Sequence, residues 1–342
     1  MMPANEFNCL PTAIGTMPHT DTSAACAAIA RHLKDIPHWP QLPRRSFREN
    51  MYAQYSQGFP GVVLGEDSIH IDTSLDLTEP LEEFYTAFLE NDVDKYPVGA
   101  DYAAGLHEFL SLPDLSPIAV KGQVTGPITW GLTVTDGSRK PIIYDETLGD
   151  AVAKLLKLKA AWQEKALRQL SKDTIIFIDE PSMSTFGSIS MNLSRKQIIN
   201  LLEEVLSGIS GLNGIHCCGN TDWSILLDTR VDIISYDTYN YTESLSLYPE
   251  AVKKFLDRNG TIAWGIVPNE EKSLAKESAA SLKDRLEEAM APFTRQDIRF
   301  RQLLAQALLT PSCGLASLSI EAAATALELL ADLSDKMRKR YL

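Results

Sequence analysis

The chain has no apolar run approaching the ~20 residues needed to span a bilayer. Its opening segment, Met1-Met2-Pro3-Ala4-Asn5-Glu6-Phe7-Asn8, lacks the basic start and apolar core of a signal peptide. Positive charge is in short supply: 32 Lys and Arg against 45 Asp and Glu leave a net charge of −13. That balance argues against nucleic acid or an anionic membrane surface as a partner. Cysteine is scarce too, five in 342 residues without regular spacing, so no disulfide framework is expected. Internal repeats, low-complexity tracts and linkers rich in Pro, Gly or Ser are missing. What is present is ordinary for a globular protein: 44% hydrophobic and 23% charged residues. The expectation is a cytoplasmic protein with residues 1–342 forming one domain. In a reducing compartment, thiols placed in polar turns invite a metal or catalytic reading.

Short β-branched runs alternate with longer amphipathic stretches. Strands are expected at residues 12–15, 61–64, 118–123, 174–179, 214–218, 232–237, 261–267 and 308–312. Helices are expected at 145–170, 194–207, 247–259, 271–291 and 320–340, among others. Alternation of this kind argues for parallel strands. Eight such units argue for a single closed (β/α)8 TIM barrel. An extra hairpin is expected within 61–73, where Gly65-Glu66-Asp67 separates two β-rich segments.

Reactive groups cluster where these strands end. The first ends in Gly15-Thr16-Met17-Pro18-His19, the third in Lys121-Gly122-Gln123-Val124-Thr125-Gly126-Pro127, and the fourth in Asp179-Glu180-Pro181. The fifth ends in His216-Cys217-Cys218, the sixth in Tyr236-Asp237 and the eighth in Cys313. In a barrel all of these ends meet at one mouth, the face where barrel enzymes keep their active sites.

Residues i and i+2 of a strand point the same way. His216 and Cys218 therefore face the mouth together, and Cys217 faces the helical layer. Cys313 is positioned to join them, and Asp237 is a candidate fourth, displaceable oxygen ligand. Two thiolates and an imidazole are the ligand set of a catalytic zinc with an open position. The competing reading is a core histidine beside inert buried cysteines.

These residues also carry a family resemblance. The chain resembles the methyltransferase barrels related to the C-terminal half of cobalamin-independent methionine synthase. Their superfamily includes uroporphyrinogen decarboxylase and the methylcobalamin:coenzyme M methyltransferases. Six segments, in order, carry it: Ile14-Gly15-Thr16-Met17-Pro18, Lys121-Gly122-Gln123-Val124-Thr125-Gly126-Pro127, Asp179-Glu180-Pro181, His216-x-Cys218, the strand ending in Asp237, and Pro311-Ser312-Cys313-Gly314-Leu315. Asp237 stands where the synthase has glutamate. His216-Cys217-Cys218-Gly219-Asn220-Thr221 also resembles the corresponding segment of the coenzyme M enzymes.

The resemblance implies a zinc-dependent methyltransferase whose acceptor is the thiol of homocysteine, giving methionine. It implies zinc ligands His216, Cys218 and Cys313 with Asp237 in reserve. Asp179, paired with Glu180, would hold the acceptor's ammonium group. Backbone at Ile14, Gly15 and Thr16 would hold its carboxylate, and His19 would assist proton transfer, with a structural loop histidine as the equal alternative. Lys121 and Gln123 would order the mouth. The folate-dependent synthase has two barrels and this chain matches one, so the implied donor is methylcobalamin, presented by a corrinoid protein. The alternatives are another small-thiol acceptor such as coenzyme M, or a metal-free tetrapyrrole decarboxylase. The segment holding Trp39, Arg44, Arg45, Phe47 and Arg48 reads either as a solvated face or as part of the mouth.

Overall fold

The computed structural model describes residues 6–113, 115–189 and 191–342; the first five residues of the N-terminal segment discussed above lie outside it. Among the described residues the strands are β1 (Leu10–Pro11), β2 (Val62–Leu64), β3 (Ile69–Ile71), β4 (Val120–Thr125), β5 (Thr135–Asp136), β6 (Thr174–Asp179), β7 (Leu212–Cys217), β8 (Ile233–Tyr236), β9 (Thr261–Val267) and β10 (Ala307–Pro311). Seven of them form one parallel sheet in the order β1-β10-β9-β8-β7-β6-β4. Every residue of β4, β6, β8, β9 and β10 is buried. Burial on both faces explains why β6 and β9 read as near-continuous apolar runs rather than alternating ones, whereas β4 carries Lys121 and Gln123 at alternate positions.

Register sorts the two faces. Asp179, His216, Ser235 and Ala263 lie side by side in one row across β6 to β9. The neighbouring row holds Cys217, Tyr236, Trp264 and Leu309. Tyr236 packs edge-on against Trp223 of helix Trp223–Leu227, and Trp264 against Phe293 of helix Ala279–Thr294. That second row therefore faces the helical layer, and the Asp179 row faces the inside. Deeper inside, Phe7, Leu10, Ile36, Ala119, Ile175, Phe177, Ile233, Ala263 and Leu308 form a separate apolar plug.

Three expectations are corrected. The second expected strand does not join the main sheet. Val62–Leu64 instead pairs antiparallel with Ile69–Ile71, and Ile69–Ile71 pairs with Thr135–Asp136 in a small three-stranded sheet. The expected hairpin is thus present, with Gly65 N donating to Ser68 O at its turn. The main sheet accordingly shows seven strands, where eight were expected.

The place between β1 and β4 is occupied by residues 37–41. Lys121 N donates to Pro37 O and Trp39 N to Lys121 O on one side. Gln41 N donates to Gly15 O and Met17 N to Gln41 O on the other. Proline contributes no amide donor and is scarce in central strands, so Pro37, Pro40 and Pro43 hid this segment from a strand reading. The first strand also lies earlier than expected. Its ladder runs through Thr12, whose amide donates to Leu309 O, and then passes to Gln41 around Gly15, whose φ is +149°.

The third correction concerns residues 271–291, expected as one helix. They form Glu271–Leu274 and then Ala279–Thr294, because Ser278 and Ser281 make a reciprocal capping box that starts a new helix. No helix among the described residues is long and apolar enough to cross a membrane.

Candidate metal centre

His216 projects inward from β7 between Asp179 of β6 and Ser235 of β8. Its Nδ1 lies 3.0 Å from Ser235 Oγ, whereas Nε2 is buried and without a partner. If Nδ1 carries the proton to Ser235, the Nε2 lone pair faces the site, as a metal ligand requires. A buried ring nitrogen left without a partner is costly in a folded protein.

Cys313 arrives from the turn after β10. Ser312 N donates to Val267 O (2.8 Å), Ser312 Oγ to Asn269 Oδ1 (3.0 Å), and Asn269 Nδ2 to Gly314 O (3.3 Å). Leu315 N donates to Thr16 O, tying the turn to the first strand's end. Position 314 needs glycine because a Cβ there would sit 2.0 Å from Thr16 Oγ1. The ligand atoms of His216, Cys218 and Cys313 all lie within 4.8 Å of one another. Tetrahedral zinc with Zn–S bonds of ~2.3 Å places two sulfurs about 3.8 Å apart. One unpartnered imidazole nitrogen and two soft sulfurs at this spacing fit such an ion.

The two thiols differ sharply. A hydrogen bond from Cys313, with His216 alongside, pulls Cys218 down to about 4 against the effect of burial. Cys313, half-buried, shares its proton with that thiolate, and this together with desolvation holds it well above the ordinary thiol range. Cys217, in the outward row, is pushed up to about 12 by burial. Adjacent cysteines thus occupy opposite electrostatic settings because a strand turns alternate side chains to opposite faces.

Asp237 lies outside the three-residue cluster. Its Oδ1 accepts from Asn240 N (2.8 Å) and its Oδ2 from Asn240 Nδ2 (2.7 Å). The pair Asp179–Glu180 also divides. Glu180 is consumed at the start of helix Pro127–Thr133, accepting from Ile128 N, Thr129 N and Thr129 Oγ1. There it satisfies orphan amides and the helix dipole, and a Cβ at Gly126 would collide with it. Asp179 is different: Oδ1 is buried and unpartnered, and burial raises the carboxyl to about 6.

Lys121 of β4 is fully buried, with Nζ donating to Ile14 O (2.9 Å) and Gln123 Oε1 (3.2 Å) and lying 4.3 Å from the Phe177 ring centre. Burial lowers the ammonium to about 7, opposed by the charge of Asp179. Ile14, Gly15 and Thr16 all have their carbonyls engaged, by Lys121 Nζ, Gln41 N and Leu315 N respectively. The glycine at 15 is required by its neighbours, since a Cβ would lie 2.6 Å from Gln41 Oε1 and 2.7 Å from Gln123 Cδ. His19 is buried, with Nδ1 unpartnered and its basicity lowered by burial.

Sequence reasoning overlooked the layer beneath. Gln41 donates to Gln54 Oε1 and Tyr55 OH, Tyr55 OH donates to Gln123 O, and Gln123 exchanges two bonds with Gln163. Trp39 is fully buried and donates Nε1 to Gln163, so it belongs to this layer. The arginines beside it do not: Arg45 pairs with Glu49 and Arg48 with Asp101. The signal available was polar residues at alternate positions of an otherwise apolar strand, as in Lys121 and Gln123.

Fold and site together define an α/β protein built on a parallel sheet, with a soft-metal ligand set at the carboxyl ends of its strands. No protein-family model matches the chain. Over 210 residues it is 27% identical to methionine synthase of Methanocaldococcus jannaschii, a match taking in 60% of this chain and 61% of that protein's length. Among solved structures, a B12-independent methionine synthase from Shewanella sp. W3-18-1, in complex with selenomethionine, superposes with a TM-score of 0.46 and 19% identity over 65% of this chain and 63% of its own. A GH113 β-mannanase, AaManA from Alicyclobacillus acidocaldarius, gives 0.40 and 11% over 98% and 100%. The chain therefore resembles the core of the methionine synthases, as its motifs implied. None of these comparisons supports methylcobalamin as donor or a corrinoid protein as partner.

Proposed function

We propose that the chain methylates the thiol of homocysteine to form methionine, using zinc held by His216, Cys218 and Cys313. The observation that carries this reading is the convergence of the unpartnered His216 Nε2 with two thiols, in a row beside Asp179, whose Oδ1 is buried and unpartnered. In this reading residues 37–41 are the eighth stave of a (β/α)8 barrel spanning residues 1–342 as one domain. A zinc ion there supplies an open position that favours the thiolate form of an incoming thiol at neutral pH.

The chain's own residues do the rest. Asp179 takes the acceptor's ammonium, replacing the water that burial has removed. The amides of Ile14, Gly15 and Thr16 take its carboxylate. His19, kept neutral by burial, accepts the proton the thiol gives up. A sulfur–methyl bond forms, the methyl–donor bond breaks, and the proton leaves through His19 to solvent. Asp237 serves as a reserve oxygen ligand only by exchanging its bonds to Asn240. A sulfonate acceptor such as coenzyme M would meet the Asp179 carboxylate instead of a cation, which disfavours it.

The test is methionine formation from homocysteine by zinc-loaded protein, with methylcobalamin and methyltetrahydrofolate as parallel donors, before and after chelation. Methylcobalamin is the donor expected from the sequence, and the assay decides between the two. Protein carrying one zinc per chain that makes no methionine from either donor would falsify the proposal.

A further inference from the structure

Lys121 is a fully buried group near the site that this mechanism leaves idle, and its position is expensive. A buried ammonium costs several kcal/mol unless its hydrogen bonds are made, and none of the ion pairs among the described residues includes it within 4.0 Å. Its charge is instead spent on a peptide: Nζ donates to Ile14 O at 2.9 Å, braced by Gln123 Oε1 at 3.2 Å and by the Phe177 ring.

The Ile14 carbonyl and the Gly15 amide belong to one planar trans peptide and point in opposite directions. A cation on the oxygen polarises the whole unit and makes the N–H at the far side a stronger donor. The next peptide is pinned in a similar way, with Gly15 O accepting from Gln41 N at 3.0 Å, which orients the Thr16 amide. Both brackets come from separate elements, β4 and the 37–41 segment, so the 14–16 backbone is clamped from both sides.

We infer that Lys121 is a positioning residue for acceptor recognition: through the Ile14–Gly15 peptide it sharpens an amide that grips the acceptor's carboxylate, and so selects α-amino-acid thiols over simple aminothiols. This rests on the acceptor reading above and adds to it the group that reads the carboxylate end.

The experiment is calorimetric titration of the zinc-loaded full chain, needing no methyl donor. Two probes are compared: L-homocysteine, and 3-aminopropane-1-thiol, which keeps the thiol and ammonium but lacks the carboxylate. Lys121→Met is expected to raise the Kd of L-homocysteine at least tenfold while leaving that of 3-aminopropane-1-thiol within twofold. Lys121→Gln, which keeps a donor but no charge, serves as the second variant and should give a smaller loss with the same selectivity. Equal weakening of both probes would mean that the lysine merely supports the fold or Asp179, and no weakening of L-homocysteine would mean that it does nothing; either overturns the inference. Wild-type protein that binds neither probe would overturn the acceptor reading instead.

Discussion

The two halves of the sheet's interior are built from the same strands and have opposite chemistry. The lower half is the apolar plug around Leu10, Ile175, Ile233 and Leu308, a cluster of buried hydrophobic side chains. The upper half, two to four residues further along, holds Lys121, Asp179, His216 and Ser235, buried to a similar degree. The plug gains stability from every buried methylene. The upper half gives some of it back, since Asp179 Oδ1 and His216 Nε2 are buried with no partner. Unsatisfied groups of this kind persist where a ligand completes them.

That contrast can be broken most severely at the ligands. Cys218→Ser or Cys313→Ser should reduce bound zinc from about one per chain to nearly none and methyl transfer by at least ~10³-fold, with the fold retained by circular dichroism. Retention of stoichiometric zinc in both variants would remove them from the ligand set.

The opposite result is expected from the plug. Ile175→Ala should cost about 2–5 kcal/mol of unfolding free energy in denaturant titration, while protein that remains folded binds zinc normally. A plug variant losing zinc while still folded would show that the two halves are coupled.

Asp179→Asn should weaken acceptor binding by roughly 10- to 100-fold, about the worth of one buried charge-assisted hydrogen bond. Its effect on stability runs the other way. Burial raises this carboxyl from 3.8 to about 6, so between those values the native chain keeps a proton that the unfolded chain has lost. The stability it contributes is full below about 4 and is lost as pH rises through about 6. The zinc-free variant should therefore melt a few degrees above zinc-free wild type at pH 8, with the gap closing toward pH 4. A gap independent of pH would remove Asp179 ionisation as its cause.

A change of similar size, but confined to the metal, is expected at the side chain that holds the histidine ring. Ser235→Ala frees the His216 ring and should lower zinc affinity about tenfold to a hundredfold, measured by competition with a chelator, with little change in melting temperature. Unchanged affinity would mean that neighbouring side chains alone orient the ring.

Much of this was legible from local pattern. His216 and Cys218 share a face, and Cys217 does not, because strand geometry alternates at every residue. The Cys313 turn was legible because thiol and glycine follow an apolar run. The 37–41 segment was not, because three prolines mask a stretch that bonds to both neighbours through its remaining groups. The division between Asp179 and Glu180 was hidden as well. Two adjacent carboxylates look alike in sequence, and only the arrival of helix Pro127–Thr133 assigns one of them to capping.

By itself the sequence determined the strand–helix alternation, the face on which each ligand candidate lies and the absence of a spanning helix, because those depend on periodicity within a few residues. Tertiary structure alone decided that Asp237 is tied to Asn240, that Lys121 reaches the Ile14 carbonyl, and that three ligand atoms 97 or fewer positions apart in sequence come within 4.8 Å. Those facts depend on which strands become neighbours and at what register, and that is settled by how the whole interior packs.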